Sequence, residues 1–249
     1  MRQMNREEAE QLEETKRRKQ IEETERDRRP VMRGELALLI VVIINSLGVV
    51  LMLYSGSGIS AISSVPYGFS EVLSFLSLGT WSYLFQGALV LSLMLMRRKF
   101  VSSYLFSFVI GFAFGKMLDV YNAWMQHFPL TIPFRIGYFA AGYILICVGI
   151  AFSNRCRLPI IPTDLFPREA AQITGIAYPK VKITFDVACL TVTAAMTGIL
   201  LGQIKGIGIG TVMAALTMGK VVGMIGDVID KHVRFVSVLS EREDKQKKK

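Results

Sequence analysis

Long runs of apolar residues alternate with short polar segments along most of the chain. Six runs hold about 18 residues or more, enough for a helix to cross a hydrocarbon core of about 30 Å. The pattern predicts membrane-spanning helices at 35–54, 80–96, 101–120, 135–153, 183–202 and 206–226. We therefore expect an all-α integral membrane protein with about six transmembrane helices.

Two further stretches are apolar in part but are interrupted by turn-forming residues. Residues 56–78 contain Gly, Ser and Pro, and residues 158–178 contain three prolines together with charged residues. Both patterns predict short helices that dip into the membrane, which is tolerable only where protein or water satisfies the backbone. If 56–78 crossed the membrane fully, the number of spans would change.

Charge changes this picture at the two ends of the chain. The net charge is +9, although 51% of the residues are hydrophobic and the mean hydropathy is +0.41. Residues 1–34 predict a charged cytoplasmic extension with helical character, and residues 231–249 predict a basic cytoplasmic tail. There is no zinc-finger, RNP or helix-turn-helix pattern, so we expect no nucleic-acid partner.

The loops predict an orientation. Residues 97–99 and 154–157 are basic, whereas residues 121–134 contain no Lys or Arg. Positive charge accumulates on the cytoplasmic side of membrane proteins. Six spans with both termini in the cytoplasm satisfy this distribution, and we expect a multi-pass protein of a bacterial inner membrane.

The third and sixth spans resemble each other when the chain is shifted by 104 positions. Small residues then recur every four positions, on the helix face that allows close approach in membranes. The aligned pairs are Ser107 with Thr211, Gly111 with Ala215, Gly115 with Gly219 and Lys116 with Lys220. We therefore expect two inverted three-helix repeats, at 35–130 and 131–230, each with one membrane-dipping segment, an arrangement typical of transporters.

Several short motifs occur in an order that resembles a known family. The motifs are PTD at 162–164, TG at 174–175, KITFD at 182–186, GQIKGIGIGT at 202–211 and MGKVVG at 218–223, with SLGTWS at 77–82 and GKMLD at 115–119 in the first half. Over about residues 35–227 the chain resembles the YczE/YyaS/YitT family of bacterial integral membrane proteins. In that family an Arg and a Glu stand where this chain has Lys182 and Asp186. The resemblance implies a multispan inner-membrane protein and does not imply a defined activity.

The ionisable residues near the fifth span form the strongest candidate site. Lys182 and Asp186 are four residues apart, so they face the same side of a helix and can pair. Asp164 lies between prolines that hold the chain out of a regular helix. Buried charges in membranes are expensive and often functional. The alternative is a structural ion pair near the cytoplasmic end of the span.

Four further residues are candidates for solute binding or ion coupling. Glu71 is the lone acid of 56–78, and the alternative is an interfacial side chain. Asp119 lies three residues after Lys116, so the two can neutralise each other. Lys116 and Lys220 either mark the duplication, with stems that reach a headgroup or pore, or form a paired ion gate.

These features favour a secondary transporter or permease for a small solute, with a site between the halves. The rival hypothesis is a non-transporting scaffold or sensor whose charged N-terminal helix binds a cytoplasmic partner. A membrane subunit driven by a separate ATPase is a third reading. The sequence has no Walker A, HExxH or GxSxG motif, so we expect no enzyme activity, no cofactor and no metal. The expected partners are the lipid bilayer, the solute, and either a second copy of the chain or a cytoplasmic protein.

Overall fold

A computed structural model describes Arg17, residues 30–156 and residues 160–236. Within this part the chain forms eight helices and two short strands. The helices are α1 (Gly34–Ser55), α2 (Ala61–Val72), α3 (Leu78–Arg97), α4 (Ser102–Met125), α5 (Ile132–Ser153), α6 (Pro162–Thr174), α7 (Tyr178–Leu201) and α8 (Ile209–His232). The strands β1 (Val31–Arg33) and β2 (Arg234–Val236) pair in parallel. The predicted N-terminal helix and most of the C-terminal tail lie outside the described residues.

Six of the helices are long and apolar enough to cross a membrane, namely α1, α3, α4, α5, α7 and α8. The other two, α2 and α6, have 12 and 13 residues and are too short to cross. Large apolar side chains cover outward faces of the spans, and Ile199 is 81% exposed. Lipid is the medium in which such faces are stable. The all-α class and the six spans are confirmed, and the chain is a multi-pass membrane protein.

Some predicted helix ends were wrong. Helix α4 continues to Met125, five residues beyond the predicted end at 120, through the mixed polar and aromatic segment YNAWM. Helix α7 starts at Tyr178 instead of 183, because Pro179 suits the first turn of a helix, where its missing N–H costs nothing. Helix α8 extends to His232 instead of 226. Hydropathy alone ends a span where its composition becomes polar, although the helix continues.

The directions of the helices follow from contacts at their ends. Pairing of β1 with β2 places the start of α1 beside the end of α8, and we call this the strand end of the bundle. The Tyr54 hydroxyl donates a hydrogen bond to the Asn122 carbonyl (3.1 Å), so α1 and α4 finish together at the opposite end. Arg155 follows α5 and bonds Asp230 near the end of α8 at 2.6 and 2.7 Å. The spans therefore alternate in direction.

The two short helices enter the bundle from opposite ends. Helix α2 finishes near Glu71, which pairs with Lys205 at the opposite end (2.6 Å). Helix α6 carries Glu169, which pairs with Arg97 at the strand end (2.6 Å). Each of these two short helices starts inside the bundle. For α2, the evidence is the 2.9 Å hydrogen bond between Ser64 and Thr193 of α7. This is the geometry expected of two inverted halves, although the duplication itself stays a prediction.

Helices α1 and α5 form the centre of the molecule and pack closely through glycines. A Cβ atom on Gly48 of α1 would lie 2.8 Å from Ile146 of α5, and a Cβ on Gly149 of α5 would overlap the Asn45 side chain of α1. Helix α4 packs on α1, and α8 packs on α5. Helix α3 packs firmly on α4, whereas α7 and α8 hardly touch. The space between α7 and α8 is where the candidate site lies.

Candidate functional site

A cavity of about 660 Å³ opens beside α7 and α8 and reaches the centre of the bundle. Its walls come from α1, α2, α4, α5, α6, α7 and α8. Apolar side chains such as Phe114 and Ile146 form part of the wall, and Asp164, Lys182 and Asp186 line the same space. The volume lies in the range of about 300–1,000 Å³ that is typical of small-molecule sites. The structure thus brings the three main candidates from the sequence together.

The expectation that the prolines keep Asp164 out of a regular helix is wrong, because Pro162 suits the first turn of α6 and Asp164 is the third residue of that helix. Asp164 is half-buried in the wall of the cavity. Pro162 starts the helix inside the bundle, so the first turn faces the cavity rather than the membrane surface. Burial raises the pKa of the Asp164 carboxyl to about 6, and Lys182 and Arg168 oppose that shift while Asp186 adds to it. Within the described residues its carboxylate accepts no hydrogen bond. A carboxyl group in this environment can exchange a proton or accept a hydrogen bond from a solute.

Lys182 and Asp186 form the ion pair that their spacing predicts. The Lys182 ammonium lies 2.6 Å from both carboxylate oxygens of Asp186, one turn further along α7. The two side chains are 29% and 15% exposed, so the pair is only partly screened by solvent. With Asp164 counted, two acids face one base, so the cluster is net negative when Asp164 is ionised. Such a cluster can hold a proton or a cationic group.

The first turn of α2 supplies a neutral polar wall that the sequence analysis missed. Ser60 and Ser63 line the cavity and bond to each other at 2.9 Å. The Ser60 hydroxyl does not cap the first-turn N–H groups of α2, so the partial positive charge of the helix start faces the cavity. Asn45 of α1 also lines the cavity, and its buried Oδ1 atom has no hydrogen-bond partner in the described residues. The sequence signal for Asn45 was that it is a single Asn within an apolar span.

Gly115–Lys116 and Gly219–Lys220, which we call the Gly-Lys pairs, differ in their surroundings. Lys220 lies on the wall of the cavity, together with Gly219. Lys116 is exposed on α4, with its ammonium 5.5 Å from the centre of the Phe112 ring, and it does not line the cavity. A lysine over an aromatic face gains a modest cation–π attraction. The structure therefore places only one of the two lysines at the candidate site.

Two acidic candidates lie away from the cavity. Asp119 accepts hydrogen bonds from the Ser77 hydroxyl (2.7 Å) and the Gly79 backbone N–H (2.8 Å), and thereby satisfies the start of α3. The expected neutralisation of Asp119 by Lys116 is wrong, because the two are not within ion-pair distance. Glu71 pairs with Lys205 beside a second, more open cavity at the opposite end. Both acids hold elements together in this structure.

A buried ionic cluster at the strand end was also missed. Glu169 of α6 is 9% exposed and accepts hydrogen bonds from Arg97 and Tyr104, each at 2.6 Å. These residues belong to three different helices, so no local spacing could reveal the cluster. It fixes the outer part of α6 against α3 and α4, and α6 in turn positions Asp164.

Comparison with known proteins adds a family but no activity. A family model matches residues 32–227 of the chain, which covers both short helices and all six spans except the last five residues of α8. The chain belongs to the family of unknown function DUF6198. No curated protein and no solved structure matches the chain.

The DUF6198 match includes Asp164, Lys182, Asp186 and Lys220, so the cavity belongs to the family domain. It leaves out residues 1–31 and 228–249. The resemblance to the YczE/YyaS/YitT family is not confirmed, because the matching family model is a different one. The family match gives no activity, so the function of this membrane protein is inferred from its site.

Proposed function

We propose that this DUF6198 protein is a secondary transporter or permease for a small solute. The observation that carries the proposal is the cavity of about 660 Å³, whose wall includes the charged side chains of Arg155, Asp164, Lys182, Asp186 and Lys220. Charged groups inside a bundle of spans are expensive, and they are characteristic of solute or ion pathways. A scaffold needs neither the space nor the charges.

The arrangement of the short helices supports a transport mechanism. Discontinuous helices that start near the centre of the membrane form the sites of many transporters, because their ends present unpaired backbone groups. Here α2 and α6 enter from opposite ends, and their first turns line one cavity. In the proposed mechanism the halves rock about this site and expose it to each side of the membrane in turn.

Asp164 is the residue we assign to proton coupling or to binding a donor group of the solute. Its raised pKa of about 6 places its protonation change close to physiological pH. When Asp164 is protonated, the cluster with Lys182 and Asp186 is neutral, and when it is ionised the cluster carries one net negative charge. A proton can therefore be exchanged for a cationic group in the same space.

The distribution of charge supports a cytoplasmic location of both termini. The strand end holds the Arg97–Lys99 segment, Arg155 and both described chain ends, whereas residues 56–78 and 121–134 at the opposite end contain no Lys or Arg. Basic loops mark the cytoplasmic side. In this orientation the cavity wall at Asp164 is nearer to the cytoplasm.

The test is transport by the purified chain in lipid vesicles. Vesicles with and without the protein are incubated with a defined mixture of amino acids, amines, organic acids and sugars under an imposed pH gradient. Mass spectrometry then measures which compounds accumulate. We expect at least one compound to accumulate only in the protein vesicles, and we expect Asp164→Asn and Asp186→Asn to abolish its uptake.

Lys116→Gln provides the control, because Lys116 lies outside the cavity and its replacement should leave uptake unchanged. The site assignment fails if the two aspartate variants transport like the parent. The transport function itself fails if no compound in the mixture, with or without the gradient, accumulates above the protein-free vesicles.

The scaffold hypothesis depends on residues 1–29, which lie outside the described part apart from Arg17, so it stays a prediction. Deleting residues 1–30 separates the two hypotheses. A transporter should retain uptake in vesicles after the deletion, whereas a scaffold should lose its partner while still inserting into the membrane.

A further inference from the structure

The interface between α3 and α4 is closed at a position that is open between α7 and α8. A Cβ atom on Gly115 of α4 would lie 2.5 Å from the carbonyl oxygen of Gly79 on α3. Gly219 holds the corresponding position on α8, and a Cβ there would meet nothing within 4 Å. The same small residue thus permits close helix contact in one pair and borders a cavity in the other.

Two buried polar side chains accompany the closed interface: Gln86 of α3 meets Gly111 of α4, and Ser107 lies one turn before Gly111 on the same face of α4. Gln86 of α3 and Ser107 of α4 are both 0% exposed. Their Oε1 and Oγ atoms have no hydrogen-bond partner in the described residues. A buried polar group without a partner is destabilising, because it has lost its hydrogen bonds to water without replacing them. The closed interface therefore holds two groups that would be more stable if water or a ligand reached them.

Gln86 points toward the start of α6. A Cβ on Gly111 of α4 would lie 3.2 Å from Gln86 Cδ and 3.4 Å from Pro162 Cδ, so the three residues meet at one place. Within the described residues, the Gln86 amide makes a single hydrogen bond, a long one of 3.4 Å to Ser82 on the same helix. The next residues of α6, Thr163 and Asp164, line the open cavity. One helix start thus separates the open cavity from the buried polar pair.

We propose that the α3–α4 interface is the second gate of the pathway, and that Gln86 and Ser107 form a hydrogen-bonding site for an uncharged polar group of the solute when this gate opens. The proposal rests on the transport function proposed above. Parting of α3 from α4 opens a route to the opposite end of the bundle, while α7 and α8 close along Gly219 and Gly223. The solute then leaves the charged wall of α7 for the neutral wall of α3.

Cysteine labelling tests the gate without knowledge of the solute. Cys147, Cys156 and Cys189 are replaced by Ala, and single cysteines are introduced as Ser107→Cys or, for comparison, Ser46→Cys on α1. Both serines are 0% exposed. A membrane-impermeant maleimide is added to protein in vesicles. A minor open state with a population of about 0.1–10% should label Ser107→Cys at that fraction of the rate of an exposed cysteine, and should leave Ser46→Cys unlabelled.

A wedge at the gate gives the matched comparison. Gly115→Ala puts a methyl group against Gly79 and should raise the labelling of Ser107→Cys by about tenfold, which corresponds to about 1.4 kcal/mol in favour of the open state. The same wedge should lower the labelling of Gly223→Cys, which faces the open cavity. Gly219→Ala adds a methyl group to open space in this structure, but it would lie between α7 and α8 when they close, so it should lower the labelling of Ser107→Cys and leave that of Gly223→Cys unchanged.

The outcomes separate the gate from the transport function. Labelling of Ser107→Cys no faster than Ser46→Cys, in a protein that accumulates a solute, overturns the gate and leaves the transport function standing. Labelling of Ser107→Cys with no transported compound supports the gate and contradicts the transport function. If Gly115→Ala does not fold, the comparison of Ser107→Cys with Ser46→Cys in the unwedged chain still decides.

Discussion

The helix pairs α3–α4 and α7–α8 hold corresponding places in the chain but differ in packing and in charge. The first pair is closed around Gly79 and Gly115, whereas the second encloses a cavity at Gly219. The first pair presents Ser82 and Gln86 one turn apart on α3. The second presents Lys182 and Asp186 one turn apart on α7, each 100 residues later in the chain.

The short helices repeat the same contrast. The third residue of α2 is Ser63, and the third residue of α6 is Asp164. Pro66 and Pro167 hold the sixth position of these helices. The backbone pattern is thus similar, while the charged side chains that line the cavity all come from the second half. A similar frame can therefore pair an open, charged wall with a closed, neutral one, which is what a two-gate pathway requires.

The largest expected effect comes from overfilling the closed pair. Gly79→Val would drive a side chain into the Gly115 backbone and the Asp119 carboxyl group. Overpacking of this kind costs about 3 kcal/mol, so we expect a fall in melting temperature on the order of 10 °C in detergent. Gly219→Val, which faces open space, should change the stability by no more than about 0.5 kcal/mol. Equal losses in the two variants would show that α7 and α8 also pack closely.

The second-largest expected effect concerns the ion pairs that anchor the two short helices. Glu169 is nearly buried and accepts two hydrogen bonds, so Glu169→Gln should cost about 2 kcal/mol. Glu71 holds the comparable place on α2 but is 28% exposed in its pair with Lys205. Glu71→Gln should therefore cost about 1 kcal/mol or less. Thermal unfolding of both variants measures the difference, and a larger loss for Glu71→Gln would contradict this ranking.

The raised pKa of Asp164 predicts that the stability of the protein depends on pH. Ser63, at the corresponding position of α2, does not titrate. The pKa of Asp164 is raised from near 4 to about 6, so the folded state holds its proton more tightly than the unfolded chain. This contribution to stability is fully present below pH 4 and is lost as the pH rises through 6. The loss amounts to about 1–3 kcal/mol. Asp164→Asn should remove it, so the variant should exceed the parent in stability at pH 8.

Thermal unfolding between pH 4 and pH 8 measures this effect, with Ser63→Ala as the matched variant on α2. Ser63→Ala should keep the pH dependence of the parent, because it removes no titrating group. A parent and an Asp164→Asn variant with parallel pH profiles would show that Asp164 is solvated like an ordinary aspartate.

The sequence predicted the number of spans well, because each apolar run is long enough to leave one interpretation. It also predicted the Lys182–Asp186 contact, since a spacing of four fixes two residues on one helix face. It did not predict the Glu169 cluster, because Arg97 and Tyr104 come from other helices. Nor could it show that Gly115 is closed and Gly219 open, because glycine permits both and the neighbouring helix decides.

The smallest expected change in stability concerns Lys116 and Lys220. Both are exposed, and Met keeps the length and apolar character of the stem, so Lys116→Met and Lys220→Met should each alter stability by no more than about 0.5 kcal/mol. Transport should separate them, because only Lys220 lines the cavity and its charge contributes to the field around Asp164 and Asp186.

We expect Lys220→Met to change the solute concentration for half-maximal uptake in vesicles, and Lys116→Met to leave it as in the parent. Removing a positive charge from the cavity wall favours a cationic solute and disfavours an anionic one, so the direction of the change reports the charge of the solute. If both variants match the parent, the Gly-Lys pairs are left with a structural meaning only. If both alter uptake equally, the lysines act as a pair and the contrast between the two helix pairs does not extend to them.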